Sequence, residues 1–513
     1  MSTTTAQKVA RRKRKTQRRL APRNFAPQPA PAFTASNIHY DMADRSSAIA
    51  CGGIGAMHLM ARRIGLIEAI DAGLHVLKVH RPYHESDHVL NIAYNILAGG
   101  TCLEDLELLR SNVVYLDGLG ACRIPDPTTA GDFCRRFDEE SVKGLMRIFN
   151  LIRLKVWAQQ PPEFFKEAII EGDGTMAPTT GECKQGMDIG YDGTWGYHPL
   201  VVSLANTKEP LFLVNRPGSR PSHEGAAQCF DQAIELCQQA GFRQIVLRGD
   251  SDFSQTAYLD RWDEIGNVRF IFGIDAMANL KRIANDLPEQ AWQELQRPQK
   301  YQVATEPRQR PANVKEQVVK QREFKNLRLT SEDVAEFVYR PTACKRDYRV
   351  VVLRKNLSVE KGERMLYDEI RYFFYITNDR QSSAEQIVLS ANDRCDQENL
   401  HAQLKGGCHA MNNPTGDLIS NWAYMVMAAL SWSLKAWFAL LAPAPAGPWR
   451  SRYLQQKRDL LKMEFKTFRN AVMQLPAQIL KSGRRIIYRL LSWNPWQSVL
   501  LRTVQSFRHP LRC

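Results

Sequence analysis

Short apolar segments between residues 165 and 275 constrain the fold of this chain most strongly. Three of them, EAIIEGDG, HPLVVSLA and EPLFLVNRP, are bounded by turn residues, which is typical of strands. A predicted helix that ends at Gly241 follows, then the strand RQIVLRGD, the helix SQTAYLDRWDEIG and the strand VRFIFGID. This order of three strands, helix, strand, helix and strand predicts a mixed α/β sheet covered by helices.

Two of these predicted strands end at an aspartate beside a glycine. Asp173 ends AIIEGD and Asp250 ends IVLRGD, which places both carboxylates at an edge of the sheet. A buried carboxylate without a partner is costly, and a divalent cation is the usual solution for clustered acids. Both residues are therefore candidate metal ligands. Asp-Gly is also common turn chemistry, which is the alternative interpretation of each position.

The polar segment RCDQENLHAQLK, residues 394–405, is predicted to be a helix that the following Gly-Gly pair closes. At about 100° per residue, one stripe roughly 60° wide carries Arg394, Glu398, His401 and Lys405. Cations flanking one acid suit a phosphate-rich ligand, since the acid can hold a metal while Arg and Lys hold phosphate oxygens. A solvated salt-bridge face explains the same spacing, and His401 fits no motif position.

The rest of the chain divides by composition and periodicity. Apolar residues three and four positions apart predict a helical N-terminal domain, either a small DNA-binding module or a packing domain. The apolar run LISNWAYMVMAALSWSL is short and studded with polar residues for a membrane span and is interpreted as a buried core helix. The predicted units are a basic disordered arm and linker (1–45), the helical domain (46–160), the first part of the core (161–275), a β-rich insertion (276–380), core helices carrying the glutamate (381–441) and a basic C-terminal region (442–513).

Positive charge is concentrated at the two ends of the chain. The net charge is +15; residues 1–24 carry nine lysines and arginines and no acid, and residues 441–513 carry 14 and two acids. Residues 25–440 therefore have a net charge of −6. Basic ends indicate a polyanion-binding protein, with nucleic acid as the favoured partner and a solubilising tail as the alternative. The 11 cysteines show no C-x-x-C spacing, which argues against structural zinc and fits a reducing cytosol.

The two aspartate motifs resemble those of the DDE transposases of bacterial insertion sequences. In that family the first acid lies in a hydrophobic-x-Asp-x-Thr pattern, which IIEGDGT matches with Asp173 and Thr175. The second acid lies in an Arg-x-Asp-Ser-x-Phe pattern, which RGDSDF matches with Asp250 rather than Asp252. GYHPLVV is similar to the second strand of the same group. The resemblance covers roughly residues 46–440.

The third acid of the family lies in a helix signature, Tyr-x2-Arg-x3-Glu-x6-Lys. Arg394, Glu398 and Lys405 match its spacing, and this is the most specific single signal in the sequence. The signature tyrosine would be residue 391, which is Ala391 here. Ala391 cannot make the contact of that tyrosine, and the departure is compatible with a subgroup or a decayed copy.

The resemblance implies an RNase-H-like catalytic fold with the β-rich insertion between the second aspartate and the glutamate. It implies that Asp173, Asp250 and Glu398 bind two Mg²⁺ (or Mn²⁺) ions and catalyse phosphoryl transfer. The implied reaction is DNA cleavage at insertion-sequence ends followed by strand transfer into target DNA, the cut-and-paste form of transposition. Arg394 and Lys405 are the implied phosphate contacts.

The implied partners are transposon-end and target DNA, with a dimer in the synaptic complex and no membrane. Arg216 and Arg220, in the loop segment NRPGSRPS after the third predicted strand, are further candidate DNA contacts, although a loop arginine is commonly solvated. The expected location is the bacterial cytoplasm, at the nucleoid. Two alternatives remain open: a metal-dependent nuclease without strand transfer, and a decayed or domesticated DNA-binding protein.

Overall fold

Among the residues that the structure describes, a nine-stranded mixed sheet is flanked by helices. The computed structural model describes residues 3–20, 34–40, 46–298, 314–362 and 364–508. The mixed α/β architecture predicted from the order of apolar segments is confirmed. The remaining elements are arranged around this sheet or in a second unit built from both ends of the chain.

Helices dominate the N-terminal part, where the apolar residues repeat at three- and four-residue steps. Asp126 caps one of them, because its side chain accepts a hydrogen bond from the backbone N–H of Thr129 at 2.9 Å and so satisfies a donor of the first turn. The elements are α1 (Thr3–Leu20), β1 (Ala48–Ile49), α2 (Ile54–Arg63), α3 (Leu66–Gly73), α4 (Glu85–Ala98), α5 (Leu106–Arg110), α6 (Val113–Leu119), α7 (Pro127–Cys134) and α8 (Glu139–Trp157).

Helix α1 corrects the prediction that the basic arm is disordered. The helix contains no glycine or proline and is rich in Ala, Arg, Lys and Gln, which all favour helix. None of its residues is buried, so the cationic side chains reach water, which screens the repulsion between neighbouring cations. Residues 21–33 and 41–45 of the predicted arm and linker lie outside the described residues.

The core strands form where the apolar runs predict them. The elements are β2 (Glu167–Gly174), β3 (Ala177–Pro178), β4 (Asp188–Ile189), β5 (Trp195–Tyr197), β6 (Leu200–Leu204), β7 (Glu209–Val214), α9 (Ala226–Ala240), β8 (Gln244–Gly249), α10 (Leu259–Glu264) and β9 (Val268–Ile274). Five of these strands lie in the order β9-β8-β2-β6-β7. β2, β8 and β9 are mutually parallel, whereas β6 is antiparallel to both β2 and β7.

The insertion continues the core sheet rather than forming a separate one. β13 pairs antiparallel with β9, and β12, β11 and β10 follow outward, so the sheet grows by one edge. The outer halves of the long strands are mostly exposed. These elements are α11 (Ala278–Asp286), β10 (Gln293–Glu294), α12 (Val314–Gln321), β11 (Lys325–Tyr339), β12 (Tyr348–Lys361) and β13 (Arg364–Thr377).

Helices return after the insertion, and the segment predicted as one helix over 394–405 is divided. Its α-helix ends at Ala402, and a π-helical turn, Gln403–Gly407, follows. The change of period moves Lys405 away from the position that a regular helix gives it. The elements are α13 (Ala384–Asn392), α14 (Cys395–Ala402), α15 (Leu418–Leu441), α16 (Arg450–Lys462), α17 (Phe465–Phe468), β14 (Ala477–Ser482), β15 (Arg485–Leu490) and α18 (Gln497–Ser506).

Helix α15 is the central helix of the core. It is the one helix of the described residues that is long and apolar enough to cross a membrane, but 94% of its most apolar window is buried inside the protein. Lys435, which interrupts the apolar run, is buried with it and donates a hydrogen bond to the backbone oxygen of Leu461 at 2.9 Å. The helix packs against α4, α8 and β7.

A buried ion pair joins the N-terminal helices to the sheet. Glu209, at the start of β7, accepts hydrogen bonds from Arg153 Nε at 3.0 Å, Trp157 Nε1 at 3.0 Å and Trp437 Nε1 at 2.8 Å. Arg153 also donates to the backbone oxygen of Pro210 at 2.8 Å. Each charge is fully enclosed and has hydrogen-bonding partners from α8, β7 and α15.

The basic C-terminal region closes back onto the N-terminal helices. β1, near the start of the helical domain, pairs antiparallel with β14, and β14 pairs with β15 to complete a small sheet. Lys481 in β14 forms an ion pair with Asp117 of α6 at 2.7 Å. The two ends of the chain therefore belong to one structural unit.

Candidate active site

Asp173 and Asp250 lie at the same edge of the sheet. β2 and β8 are parallel, and their register pairs Glu171 with Arg248. Two residues further along each strand, Asp173 comes opposite Asp250. Since side chains two residues apart point to the same face of a sheet, all four side chains share one face. The structure therefore brings the first two predicted site acids together.

The glycine before each aspartate makes room for an aromatic ring on the opposite face. A Cβ at Gly172 would lie 2.6 Å from Phe230 Cζ, and a Cβ at Gly249 would lie 2.5 Å from Phe253 Cβ. Neither glycine has a left-handed φ. Gly174, after the first aspartate, is the last residue of β2 and is also not left-handed. These glycines are required by packing at the strand ends, and a turn does not explain them.

One guanidinium lies between the two carboxylates. Arg394 Nη1 is 3.1 Å from Asp173 Oδ2 and 3.7 Å from Asp250 Oδ2. The second Asp250 oxygen, Oδ1, accepts the backbone N–H of Asp252 at 3.1 Å. The sequence predicts a phosphate contact for Arg394, whereas in this structure the side chain serves as the counter-ion of the acid pair.

The counter-ion does not fully compensate the burial of the acids. Burial raises the pKa of Asp173 to about 7; Arg394 opposes this rise, and the neighbouring charge of Asp250 adds to it. Burial also raises the pKa of Asp250, again against the effect of Arg394 and with the effect of Asp252. Two acids with raised pKa values and one shared cation form a site in which additional positive charge is favourable.

A buried ion pair lies next to the two aspartates on the same face of the sheet. Arg248 Nη2 is 2.5 Å from Glu171 Oε1, and Arg248 Nη1 donates to the backbone oxygen of Ser390 at 2.8 Å. The pair lies two residues before the aspartates on the same face and ties α13 to the sheet. Sequence reasoning missed both residues, although the two-residue period of the strands places a charge at each position.

Gln397 fixes α14 against the sheet. Its Nε2 donates to the backbone oxygen of Val201 at 3.0 Å, and its Oε1 accepts a hydrogen bond from the Ser203 hydroxyl. Leu400 and Leu404 are buried on the same helix and the turn after it. The segment is thus anchored on β6 by one buried amide and two leucines, and its polar composition hid this contact face from sequence analysis.

Glu398 is not gathered with the two aspartates in this structure. Its side chain is exposed, and within the described residues it makes no ion pair or hydrogen bond. The same part of the chain contains no group of three or more His, Cys, Asp or Glu residues arranged to hold a metal ion. Its assignment as the third metal ligand therefore stays a prediction.

His401 lies beside Asp173, and the charge of Asp173 also acts on Lys405. His401 Nδ1 is 3.9 Å from Asp173 Oδ2, and its buried Nε2 has no hydrogen-bond partner among the described residues. Burial, with the nearby charges of Lys405 and Arg394, lowers the pKa of His401 to about 3, so the imidazole is neutral. Burial also lowers the pKa of Lys405, while Asp192 and Asp173 oppose this. Both side chains thus belong to the surroundings of the acid pair.

The two loop arginines differ in accessibility. Arg216 is buried, and its guanidinium donates to the backbone oxygens of His198, Pro221 and Glu224 at 2.6–3.0 Å. It organises the loop and is not presented to a ligand, which corrects its place among the predicted DNA contacts. The side chain of Arg220 is 55% exposed and lies 3.4 Å from the Glu224 carboxylate. Arg220 remains a candidate for contact with DNA.

The sequence matches a family profile over most of its length. The family is described as "Transposase DDE domain group 1", and the match covers residues 46–510. The matched region therefore includes both aspartates, the helix of Glu398 and the C-terminal region up to residue 510. No curated protein matches the chain in sequence.

A similar solved structure is that of a piggyBac transposase synaptic complex with hairpin DNA, determined by cryo-EM. The alignment covers 90% of this chain and 85% of that chain, with 9% sequence identity and a TM-score of 0.35. Similarity at this level supports no conclusion about this chain.

Proposed function

This chain belongs to the transposase DDE domain family, group 1, and we propose that it catalyses metal-dependent DNA cleavage at insertion-sequence ends followed by strand transfer into target DNA. The observation that carries the proposal is the pair Asp173 and Asp250 at the ends of adjacent parallel strands, with one shared guanidinium. We also infer that the core is RNase-H-like. Support comes from the three antiparallel strands followed by two parallel ones that helices connect.

The acid pair fits a divalent cation. Two carboxylates with raised pKa values stand side by side, and oxygen ligands of this kind suit Mg²⁺ or Mn²⁺. In the proposal Asp173, Asp250 and Glu398 hold the metal, which supplies an activated oxygen nucleophile and neutralises the charge that develops on phosphate. Glu398 requires a local movement of α14 to join them, because its side chain is exposed here.

The remaining residues position the DNA. In the proposal Arg394 leaves the carboxylates when they bind metal, and with Lys405 it holds phosphate oxygens near the cut. Arg394 can make this movement, because 21% of its side chain is exposed and it lies at the start of α14. His401 is neutral and buried beside Asp173, so it contributes shape and a hydrogen-bonding nitrogen rather than charge. We further propose a dimer on two transposon ends, in the bacterial cytoplasm at the nucleoid.

The decisive experiment replaces the acids one at a time. We expect Asp173→Asn, Asp250→Asn and Glu398→Gln each to reduce Mg²⁺-dependent cleavage of a labelled duplex by about 10²–10³-fold or more, since each removes a ligand of the metal that stabilises the transition state. The duplex is taken from the DNA flanking the gene. Asp252→Asn, two residues from Asp250 and exposed, is the matched control and should retain activity. Full cleavage by all three site variants would contradict the proposal.

A second candidate function is a non-catalytic DNA-binding protein. Two observations favour it: Ala391 replaces the signature tyrosine, and Glu398 is not assembled with the aspartates. The candidates differ in metal binding, because a decayed copy has no need for Mn²⁺ at these acids. Titration with Mn²⁺ followed by electron paramagnetic resonance separates them: binding that Asp173→Asn removes supports the enzyme, and DNA binding without any Mn²⁺ site supports the second candidate.

A further inference from the structure

The two basic ends of the sequence meet at one groove. A cavity of about 1330 Å³ lies between α1 on one side and β15 with α18 on the other. Seven lysine and arginine side chains of α1, from Lys8 to Arg19, line it together with Arg489 of β15, and no acidic side chain does. The helix and Arg489 are at opposite ends of the sequence, and only the fold brings their cations together.

This charge is not used to hold the protein together. Among the described residues no acid forms an ion pair with α1, and no residue of α1 is buried. The side chain of Arg12 joins the helix to the C-terminal hairpin, since its Nη1 donates to the backbone oxygen of Leu490 at 2.5 Å. The half-buried residues Thr5, Val9 and Thr16 lie on the same side of the helix. The lining cations of α1 other than Arg12 therefore remain available to a ligand.

The spacing of the cations suits the sugar-phosphate backbone of duplex DNA. From Lys8 to Arg19 the helix rises about 17 Å at 1.5 Å per residue. Over that length duplex DNA carries roughly ten phosphates, at one charge per 1.7 Å of axis. A membrane surface fits less well, because a membrane-bound helix needs an apolar face and α1 offers only Val9, Leu20 and alanines.

We propose that the groove between α1 and β15 binds the backbone of duplex DNA without sequence preference. The groove is a second DNA contact, distinct from the carboxylate site, and it is built from both termini. This proposal rests on the proposed function, because the DNA bound in the groove is the DNA that takes part in transposition. The role of the groove is to hold DNA: the phosphates of the bound duplex replace the mobile counter-ions of Arg489 and of the lining cations of α1 other than Arg12.

The test is the salt dependence of DNA binding by the full-length protein. The groove variant Arg11→Gln/Arg14→Gln/Arg18→Gln removes three lining cations from one stripe of α1. The control variant Lys13→Gln/Arg484→Gln/Arg485→Gln removes three exposed cations that do not line the groove. Binding of a 30-base-pair duplex of arbitrary sequence is followed by fluorescence anisotropy over a range of NaCl concentrations. Glutamine keeps the helix propensity, and the melting temperature of each variant checks folding.

We expect the slope of log K against log salt to fall by about 2 to 3 in the groove variant, roughly 0.9 for each phosphate that the variant no longer neutralises. The control variant should keep the slope within about one of the unmodified protein. Equal reductions of the slope in both variants would mean that only the net charge of the protein matters. An unchanged slope in the groove variant would mean that DNA does not enter the groove. Either result overturns the proposal.

Two further arms separate the proposal from its alternatives. Asp173→Asn should keep the slope while cleavage is abolished, so failure of the groove and failure of the catalytic proposal are distinguishable. Binding to vesicles of phosphatidylcholine and phosphatidylserine is measured in parallel. If the groove variant loses vesicle binding but keeps DNA binding, the surface is a membrane contact and the proposal is wrong.

Discussion

Glu209 and Asp173 are both acids withdrawn from water, and they differ in how well their charge is compensated. Glu209 has a cation and two indole N–H groups at hydrogen-bonding distance. Asp173 shares one arginine with a second acid, and its pKa is raised to about 7. A fully partnered carboxylate joins elements of the fold, whereas a poorly compensated pair at a strand edge favours the binding of a further cation.

This difference in charge compensation also predicts different effects of mutation on stability at the two acids. A buried ion pair with complete hydrogen bonding is costly to break, because the remaining partner is left without compensation. The acid pair has the opposite property, since removing one of its charges relieves the cost of burying that charge and, to a lesser extent, the repulsion by the second carboxylate. The structure thus predicts that equivalent isosteric substitutions have opposite effects on stability at the two places.

The largest effect is expected at the Glu209 cluster. Glu209→Gln leaves the buried guanidinium of Arg153 without an anion, and the free energy of unfolding should decrease by about 3–5 kcal/mol. Urea denaturation followed by circular dichroism measures it. Glu224→Gln, which removes the partner of the exposed Arg220, is the matched control and should cost less than about 1 kcal/mol. A similar decrease in the free energy of unfolding in both variants would show that the buried cluster stabilises the fold no more than the exposed pair does.

The next effect is a pH dependence that comes from Asp173. Its pKa is raised from 3.8 to about 7 in the folded protein. Between these values the folded state holds a proton that the unfolded chain releases, so this contribution to stability is largest at low pH and is lost as the pH rises to about 7. In EDTA, Asp173→Asn should therefore gain stability relative to the unmodified protein at pH 7.5 more than at pH 4.5.

The same denaturation series contains its own control. Asp286→Asn removes an exposed acid at the end of α11 and should follow the pH profile of the unmodified protein. An identical profile for Asp173→Asn would mean that the carboxylate is well compensated in solution, and the contrast with Glu209 would then disappear.

The smallest effect is expected at the shared counter-ion. Arg394→Gln removes the cation that competes for the two carboxylates, so Mn²⁺ should bind more tightly, by on the order of tenfold or about 1.4 kcal/mol. Calorimetric titration without DNA measures this. Arg220→Gln carries the same charge change outside the acid pair and should leave the affinity unchanged. Weaker binding in Arg394→Gln would show that the arginine orients the acids rather than opposing the metal.

Several parts of the site follow from local patterns alone. The apolar strands and the Gly-Asp pairs at their ends specify Asp173 and Asp250, because strand period and edge position are local properties of the sequence. The helix of Glu398 follows from the spacing of its motif. By contrast, Gln397 and Arg216 look like solvated polar residues in the sequence, and their burial depends on which strand or loop packs against them.

The sequence by itself determined the order of the strands along the chain, the positions of the two aspartates and the concentration of cations at both ends. Tertiary structure decided which charges meet. Arg394 lies between the aspartates, Arg248 pairs with Glu171 beneath them, and α1 faces the C-terminal hairpin. The physical reason is that local propensities act within a few residues, whereas the balance of buried charge depends on groups that are distant in sequence and adjacent only in the folded chain.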